Sequence, residues 1–540
     1  MFFRIGALLI SIFLLAFGQP AKYPLFGLLA ATVGWAPFFV AIHDLTKRQR
    51  FWIGTAFFFS IQLLQLFWFT SHPFAYIWGV YFALAFLFGL QCGILSLLVT
   101  KERLQSIFSL LLLPALWAIF EWSRLFLFTG FPFNFTGMAF ASNDATSQLI
   151  GLFGIFGLSF LSLLSSAAIA RWYIWKKWGF AIALLAVTAI ASILLFEMRK
   201  EEMKRYDESV GTPLKLLIIH TKDLPEELDC PHERKKILER VLDCWQGIEE
   251  IAEPYKDGAY DMVILPEMVV PFAAESPLFE AQDVKRALQI WDQSGTPGIF
   301  QNANKKSYCH FDLAQDLASR LNCHVIIGLE TDEYSLKEQC RVYFNSVYCF
   351  TATAQARYDK QILVPMGEYI PFVWLKGLAA QYGLYDSFLR GDGTRTFSIG
   401  PHLVAPSICY EDTFPPKWLV DPAIQRATAL VNVTNDGWYP NSSLGRYHFE
   451  TARIRALENG KPFFRSCNFG FSGAFDSLGR TVLAFDDSGL EQKIDAFPVT
   501  LSSFNYTTFY SLWGNCPVIL GSCLIIILAI ACHFLRKRAQ

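Results

Sequence analysis

At 540 residues, with 53% hydrophobic, 16% aromatic and only 17% charged side chains, the chain is too apolar for a soluble protein of its length. Its 51 Phe and 15 Trp, with a mean hydropathy of +0.31, place much of it in lipid. A net charge of −1 leaves no basic excess to neutralise phosphates, which excludes nucleic acid as a partner.

In chain order, apolar runs long enough to cross a bilayer lie near 2–18, 24–43, 51–70, 76–99, 106–128, 148–170, 178–196 and 516–535. Between the seventh and eighth, roughly 197–511, charged residues occur at ordinary soluble density. The expected organisation is a bundle of eight spans with a globular domain inserted before the last: helices 1–7 in 1–196, the domain in 197–511, and the eighth helix with a cytoplasmic tail in 512–540. Arg4 ahead of the first run gives it the look of a secretory signal, but cleavage there would leave the sidedness of the rest unchanged.

Loop charges set the orientation. Lys47, Arg48 and Arg50 follow the second run, Lys101 and Arg103 the fourth, Arg171, Lys176 and Lys177 the sixth, and Arg536, Lys537 and Arg538 the eighth. The alternate loops carry only Lys22. By the positive-inside rule both termini are cytoplasmic and the inserted domain lies across the membrane. Within the fifth run, Glu121 and Arg124 are three apart and are expected to face each other as an ion pair. An alternative has Arg124 meeting a phospholipid phosphate near the outer surface. The stretch "FTGFPFNFTG" (128–137) is expected to dip into the outer interface.

Twelve cysteines raise the question of pairing. Cys230 with Cys244, Cys309 with Cys323 and Cys340 with Cys349 are close enough for local disulfides in an oxidising compartment, and unpaired buried thiols are the equal alternative. Cys92, Cys516, Cys523 and Cys532 read as packing residues in or beside spans. With no C-x-x-C pair and no zinc-ligand spacing around His310 or His324, neither a metal nor a cofactor is expected.

The inserted domain alternates strand and helix. "LKLLIIHT" ending at Thr221, "YDMVILPE" (260–267), "HVIIGLE" (324–330), a pair within 345–365, "HLVAPSICYED" (402–412) and "TALVNVTND" (428–436) read as strands. Residues 233–253, 312–322 and 446–460 read as helices, the last ending at Gly460. The class is α/β, with strands buried by helices.

Three ionisable residues follow strand runs: Glu267 after "MVIL" and Pro266, Lys360 after "ARYD", and Cys409 after "LVAPSI". Each alone is more often a solvated strand end or a packed thiol. Together they compose a nucleophile with its own base and cation, because a thiol of pKa about 8.5 needs help to react at neutral pH. His310, His324, His402 and His448 stand in unrelated contexts, which argues against a cysteine–histidine protease.

This order of Glu, Lys and Cys resembles the nitrilase, or carbon–nitrogen hydrolase, superfamily, and implies its αββα sandwich. "LPEMVVPF", "YDKQILVPMGEYIPF", "SICYED", "VNVTNDGWY", "RIRALENGKPFFRSCNFGFSG" and the membrane stretch "PALWAIFEWSRLFLFTGFPFNFTG" resemble more specifically the apolipoprotein N-acyltransferase family. The resemblance implies Glu267 as general base, Cys409 as nucleophile and Lys360 as stabiliser of the oxyanion, with the main-chain N–H of Tyr410 as a second donor. It implies that Glu368 orients Lys360 or a bound amine, and that Tyr410, Glu411 and Trp438 shape the site and touch lipid.

The implied reaction moves an acyl chain from a membrane phospholipid, through a Cys409 thioester, to the N-terminal amine of diacylglyceryl-cysteine apolipoproteins at the bacterial inner membrane. The rivals are a membrane-anchored nitrilase-type amidase acting on a small amide or nitrile, and a non-catalytic membrane scaffold. Departures from the family pattern are Gly437-Trp438-Tyr439-Pro440 after Asn-Asp, Phe133 where Trp is usual, and no Trp in "TKDLPEELDC" (221–230). These bear on acyl or headgroup preference and leave the triad intact.

Overall fold

A computed structural model of the chain describes residues 1–539 except 21–22, 128–129, 210, 223–233, 257–259, 288–304, 338, 372–376, 378–387, 419–421 and 490–492. The loop 221–230 and Cys230 therefore fall largely or wholly outside the described residues. Two compact units emerge. One comprises Met1–Glu202, Leu457–Gly460 and Tyr506–Gln540, the other Met203–Ala456 and Lys461–Asn505.

The first unit is helical. Six helices are long and apolar enough to cross a membrane: Pro24–Ile42, Tyr76–Ser96, Ile107–Phe126, Ile150–Trp175, Gly179–Ser209 and Cys516–Leu535. The run at 2–18 forms the shorter helix Phe2–Phe17, whose 16 residues rise about 24 Å against a hydrocarbon core of about 30 Å. The run at 51–70 is divided between the helix Lys47–Gln65, which opens on three basic residues, and a 3-10 turn Phe67–Ser71. Gly54, Gly89 and Gly93 let the helices Lys47–Gln65 and Tyr76–Ser96 approach closely, a Cβ at Gly93 falling 2.2 Å from Thr55 Oγ1. Buried amides satisfy one another: Gln62 Nε2 donates to Gln65 Oε1 at 2.9 Å and Asn134 Nδ2 to Gln62 Oε1 at 3.1 Å.

The expected ion pair of Glu121 with Arg124 is not formed. Glu121 Oε1 instead accepts from Trp117 Nε1 at 2.9 Å and from the main-chain N–H and hydroxyl of Thr136, both at 2.8 Å. The segment after the helix folds back and offers the carboxylate two donors from Thr136, which with Trp117 of the same helix occupy one oxygen in place of the guanidinium.

The second unit is built on a sheet whose central strands are parallel. Leu214–Thr221 lies between Met262–Ile264 and Phe463–Asn468. Beyond these come His324–Ser335 on one side and Ala429–Asn435, then His402–Ile408, on the other. The expected strands are present, and the pair within 345–365 is the antiparallel hairpin Cys340–Phe350 and Gln355–Asp359. Among the described residues seven strands were not expected from the sequence: Phe279–Glu280, Ser307–Tyr308, Phe397–Ile399, Phe463–Asn468, Phe471–Phe475, Thr481–Asp486 and Ile494–Leu501. The last two are only partly buried and mix polar with apolar residues, so they lack the continuous apolar run that marks the centre.

Alternation sorts the side chains. Leu217, Ile219, Val263 and Val325 pack with Trp245, Leu313 and Leu317 of the helices Arg234–Ala252 and His310–Leu321. Leu216, Ile218, Ile264 and Ile326 face the other way, into one core with Val404, Val431 and Phe464. On the far side of those strands Ala405, Leu430 and Phe463 pack with Phe449 and Ala452 of the helix Leu444–Asn459. The described cysteines are free thiols, so neither the Cys309–Cys323 nor the Cys340–Cys349 pairing is made.

Glu249, on the helix Arg234–Ala252, is fully buried, and neither carboxylate oxygen meets a hydrogen-bond partner among the described residues. Burial, then Asp316, push its carboxyl up to about 8, with Arg320 opposing. The folded state thus keeps a proton that the unfolded chain releases near its ordinary pKa of about 4.3, so this site's stabilising contribution falls as pH rises from there to about 8. Glu249→Gln is expected to raise the melting temperature at pH 8.5 by on the order of a few degrees and to change it little at pH 4. Scanning calorimetry at both values checks this, and equal shifts at both would refute it.

Candidate active site

In parallel α/β sheets, ligands bind beyond the carboxyl ends of the strands, and the sequence-predicted residues gather there. Glu267 lies three residues beyond Met262–Ile264, Cys409 directly follows His402–Ile408, and Lys360 directly follows Gln355–Asp359. Gln355–Asp359 is antiparallel to Cys340–Phe350, itself antiparallel to His324–Ser335, so its end falls on the same edge as the others.

Lys360 is 1% exposed and sits between two carboxylates. Its Nζ donates to Glu267 Oε1 at 3.2 Å and to Glu368 Oε1 at 2.7 Å. Asn345, which the sequence reading missed, donates from Nδ2 to the same two oxygens at 2.7 and 2.8 Å. Its only signal was an amide at the head of the strand run "NSVYCF" (345–350). The other oxygen of Glu368 accepts the main-chain N–H of Val364 at 2.8 Å. Glu368 is therefore hydrogen-bonded at once to Lys360 and to the chain at Val364.

Burial raises the Glu267 carboxyl above the usual carboxylate range, and Glu368 adds to this while Lys360 opposes it. Burial alone would lower the Lys360 ammonium, but Glu267 and Glu368 outweigh it and hold the ammonium well above its ordinary value. The Cys409 thiol is raised by burial and by the Glu267 charge, with Lys360 pulling the other way. Its sulfur approaches the carbonyl of Asn435 at 4.0 Å, too long to fix it. The nucleophile candidate is thus a neutral thiol facing a basic carboxylate and an ammonium.

Cys409 has φ +48°, a left-handed conformation that a residue with a Cβ adopts only when its surroundings impose it. Glu411 is what imposes it. Fully buried, it accepts the N–H of Ile408 at 2.9 Å, of Gln361 at 2.7 Å and of Ile362 at 3.1 Å, and the Tyr358 hydroxyl at 2.9 Å. Lys417 Nζ lies 3.4 Å from its second oxygen. One carboxylate therefore ties the residue before Cys409 to the two residues after Lys360. Glu411 is thus fully buried within a hydrogen-bonded frame.

The remaining expectations divide. The Tyr410 ring packs edge-on against Phe414 with centroids 5.1 Å apart. Trp438 is 45% exposed on the turn after Ala429–Asn435. Arg124 belongs to the helical unit, where it is 1% exposed, donates from Nε to Gln91 Oε1 at 3.1 Å and lies 4.3 Å from the Phe88 ring centroid. His448 does not stand in an unrelated context: it bonds Asp412, three residues beyond Cys409, at 2.7 Å. No group of three or more His, Cys, Asp and Glu suited to a metal occurs among the described residues.

Gly328 explains how Glu267 comes so close to the neighbouring strand. A Cβ there would lie 2.5 Å from Glu267 Cα and 2.7 Å from Pro266 O, both backbone atoms that cannot swing aside. Gly328→Ala is expected to displace Glu267 and slow any reaction of Cys409 that needs it by on the order of 10²-fold, with the circular dichroism spectrum preserved. Turnover of the purified variant checks this, and wild-type turnover would show that the carboxylate is not placed by this contact.

Comparison with known proteins assigns both units. The carbon–nitrogen hydrolase family profile matches residues 233–494, and that of the apolipoprotein N-acyltransferase N-terminal domain matches 12–168. The apolipoprotein N-acyltransferase of Chlamydia caviae is 29% identical over 98% of this chain and 98% of its own. That of Chlamydia pneumoniae is 28% identical over 96% and 95%, and that of Chlamydia trachomatis 26% identical over 100% and 99%. The chain belongs to the apolipoprotein N-acyltransferase family, with a carbon–nitrogen hydrolase domain joined to that family's N-terminal helical domain.

Proposed function

We propose that this protein transfers an acyl chain from a membrane phospholipid, through a thioester on Cys409, to the N-terminal α-amino group of diacylglyceryl-cysteine apolipoproteins. The observation that carries the mechanism is the buried Glu267–Lys360–Glu368 cluster acting on the Cys409 thiol, in a chain whose helical half matches the acyltransferase family.

With two carboxylates and one ammonium around it, Cys409 does not ionise in advance, so deprotonation is coupled to attack. Glu267 takes the thiol proton as the sulfur bonds to the ester carbonyl carbon. The resulting oxyanion is stabilised by Lys360 and by the main-chain N–H of Tyr410. The carbon–oxygen bond to glycerol then breaks, Glu267 returns the proton to that oxygen, and a lysophospholipid leaves. In the second half the free amine attacks the thioester carbon, Glu267 accepts a proton from the amine nitrogen, the carbon–sulfur bond breaks, and the sulfur recovers the proton as the amide departs. The order is ping-pong, because the same pocket serves donor and acceptor in turn.

Placement follows from the same reading. Each of the eight apolar runs is helical, which supports eight spans, and the basic loops support cytoplasmic termini with the α/β unit on the periplasmic side of the inner membrane. The three stacked apolar cores of that unit support the αββα sandwich.

Full-length protein in detergent micelles, given phospholipid with a labelled acyl chain, is expected to acquire a hydroxylamine-sensitive label that a diacylglyceryl-cysteinyl peptide discharges as an amide. Cys409→Ala should take up none, and Glu267→Gln should label more slowly by roughly 10²–10⁴-fold. Absence of label together with ammonia release from small amides would overturn the acyltransferase reading in favour of an amidase.

A further inference from the structure

Behind the nucleophile lies a closed ring of four charged side chains that takes no direct part in bond making. His448, on the helix Leu444–Asn459, presents Nε2 to Asp412 Oδ1 at 2.7 Å and Nδ1 to Asp436 Oδ1 at 2.9 Å. Arg465, on the strand Phe463–Asn468, donates from Nη1 to Asp412 Oδ2 and from Nη2 to Asp436 Oδ2, both at 3.0 Å. Each carboxylate thus has one oxygen on the imidazole and the other on the guanidinium. None of the four is more than 4% exposed.

Two carboxylates out of water require two cations, and Arg465 supplies one. Burial and Arg465 both oppose a charge on His448, but Asp412 and Asp436 outweigh them and push the imidazole up to about 9. Asp436, despite burial, is drawn down to about 2 by His448 and Arg465. Arg465 Nη2 also approaches His448 Nδ1 to 2.7 Å, two donors side by side, and Asp436 in front of both offsets their repulsion. Two further titratable groups face the ring among the described residues: Cys467, whose sulfur lies 3.6 Å from Asp436 Oδ2, and Cys409 itself, which interacts with Asp436 and Arg465.

The two carboxylates sit on the two chain segments that flank the thiol. Asp412 lies in the turn Cys409–Thr413, and Asp436 follows Asn435, whose carbonyl faces the Cys409 sulfur. Asn432 joins the ring to the nucleophile itself: it accepts from Arg465 Nη1 at 2.9 Å and donates to the Cys409 carbonyl at 3.1 Å.

We propose that His448 is a positioning residue for acyl transfer, its imidazolium clasping Asp412 and Asp436 so that the strained turn carrying Cys409 is held against the Asn435–Trp438 segment. The proposal rests on the reading of Cys409 as nucleophile. When the imidazole loses its charge, two buried carboxylates share a single cation, one of them withdraws, and the segment it belongs to moves with it. A shift of about 1 Å at the reacting sulfur suffices to cost on the order of 10²-fold in rate.

The test is single-turnover labelling of full-length protein in micelles by phospholipid with a labelled acyl chain, followed from pH 6.5 to 10 and normalised to the amount of Cys409 that labels at completion. The wild-type rate constant is expected to fall as pH rises through about 9, where His448 loses its proton. Lys360 and Cys409 titrate above that window. His448→Gln should be slower on the order of 10²-fold at pH 7, flat across the pH 9 region, and unchanged in KM for phospholipid. If that variant does not accumulate, Asp412→Asn should be slowed likewise and show its limb at lower pH, because His448 then keeps one anion instead of two. A folded variant with the wild-type rate constant per reactive Cys409 and only a lower melting temperature overturns the proposal. A wild-type protein that takes up no label overturns the nucleophile reading beneath it.

Discussion

Everything at this site depends on one buried ammonium. Lys360 is cut off from water, and a cation in that position is tolerable only if anions meet it at short range. Glu267 and Glu368 do so, and Asn345 bridges the same two oxygens, so the two carboxyl groups, the amide and the cation form one hydrogen-bonded assembly. Burial, and after it the carboxylate of Glu267, hold the Cys409 thiol neutral against the pull of Lys360. A cysteine that waited as a thiolate would be open to oxidation and stray electrophiles; one that ionises only as it attacks is exposed to neither.

The backbone around this assembly is held where it would not otherwise rest. Cys409, Met268 next to Glu267, and Met366 two residues before Glu368 all have positive φ, at 48°, 43° and 63°. Such strain persists only where surrounding bonds over-determine the chain, and Glu411 with its main-chain donors at Ile408, Gln361 and Ile362 does this for the thiol and the ammonium together. The carboxylate that follows the nucleophile by two residues is therefore spent on geometry, and the distance between Cys409 and Lys360 is set by a hydrogen-bonded clamp rather than by their own attraction.

The parts legible in the sequence share a physical cause. Buried parallel strands must be continuous apolar runs, so their ends stand out, and Glu267 and Cys409 are conspicuous because each is the first ionisable group after such a run, whereas Lys360 follows the mixed strand Gln355–Asp359. Asn345 lies inside a strand, where nothing distinguishes a ligand from a solvated residue until the pairing register is known. His448, Asp412, Asp436 and Arg465 come from four separate segments and meet only when three strands and a helix are assembled. The pairing of Glu121 with Arg124 failed for a related reason. Helical spacing brings the two near each other, but the competing donors of Thr136 come from a loop whose return path helical periodicity cannot reveal.

The two buried charge clusters of the α/β unit differ in a way that suits their tasks. The ring of Asp412, Asp436, His448 and Arg465 balances to zero when the imidazole is charged, so the upward pull of Asp436 on the Cys409 thiol is opposed by cations held in the same ring. The cluster in front, Glu267, Glu368 and Lys360, sets two carboxyl groups against one ammonium, and there Glu267 raises the Cys409 thiol while Lys360 lowers it. Were the rear ring to lose its second cation, its excess negative charge would add to that of Glu267 and raise the thiol further. The rear ring and the front cluster therefore act on the Cys409 thiol as one electrostatic arrangement, with Glu267 and Asp436 raising it and Lys360 opposing them.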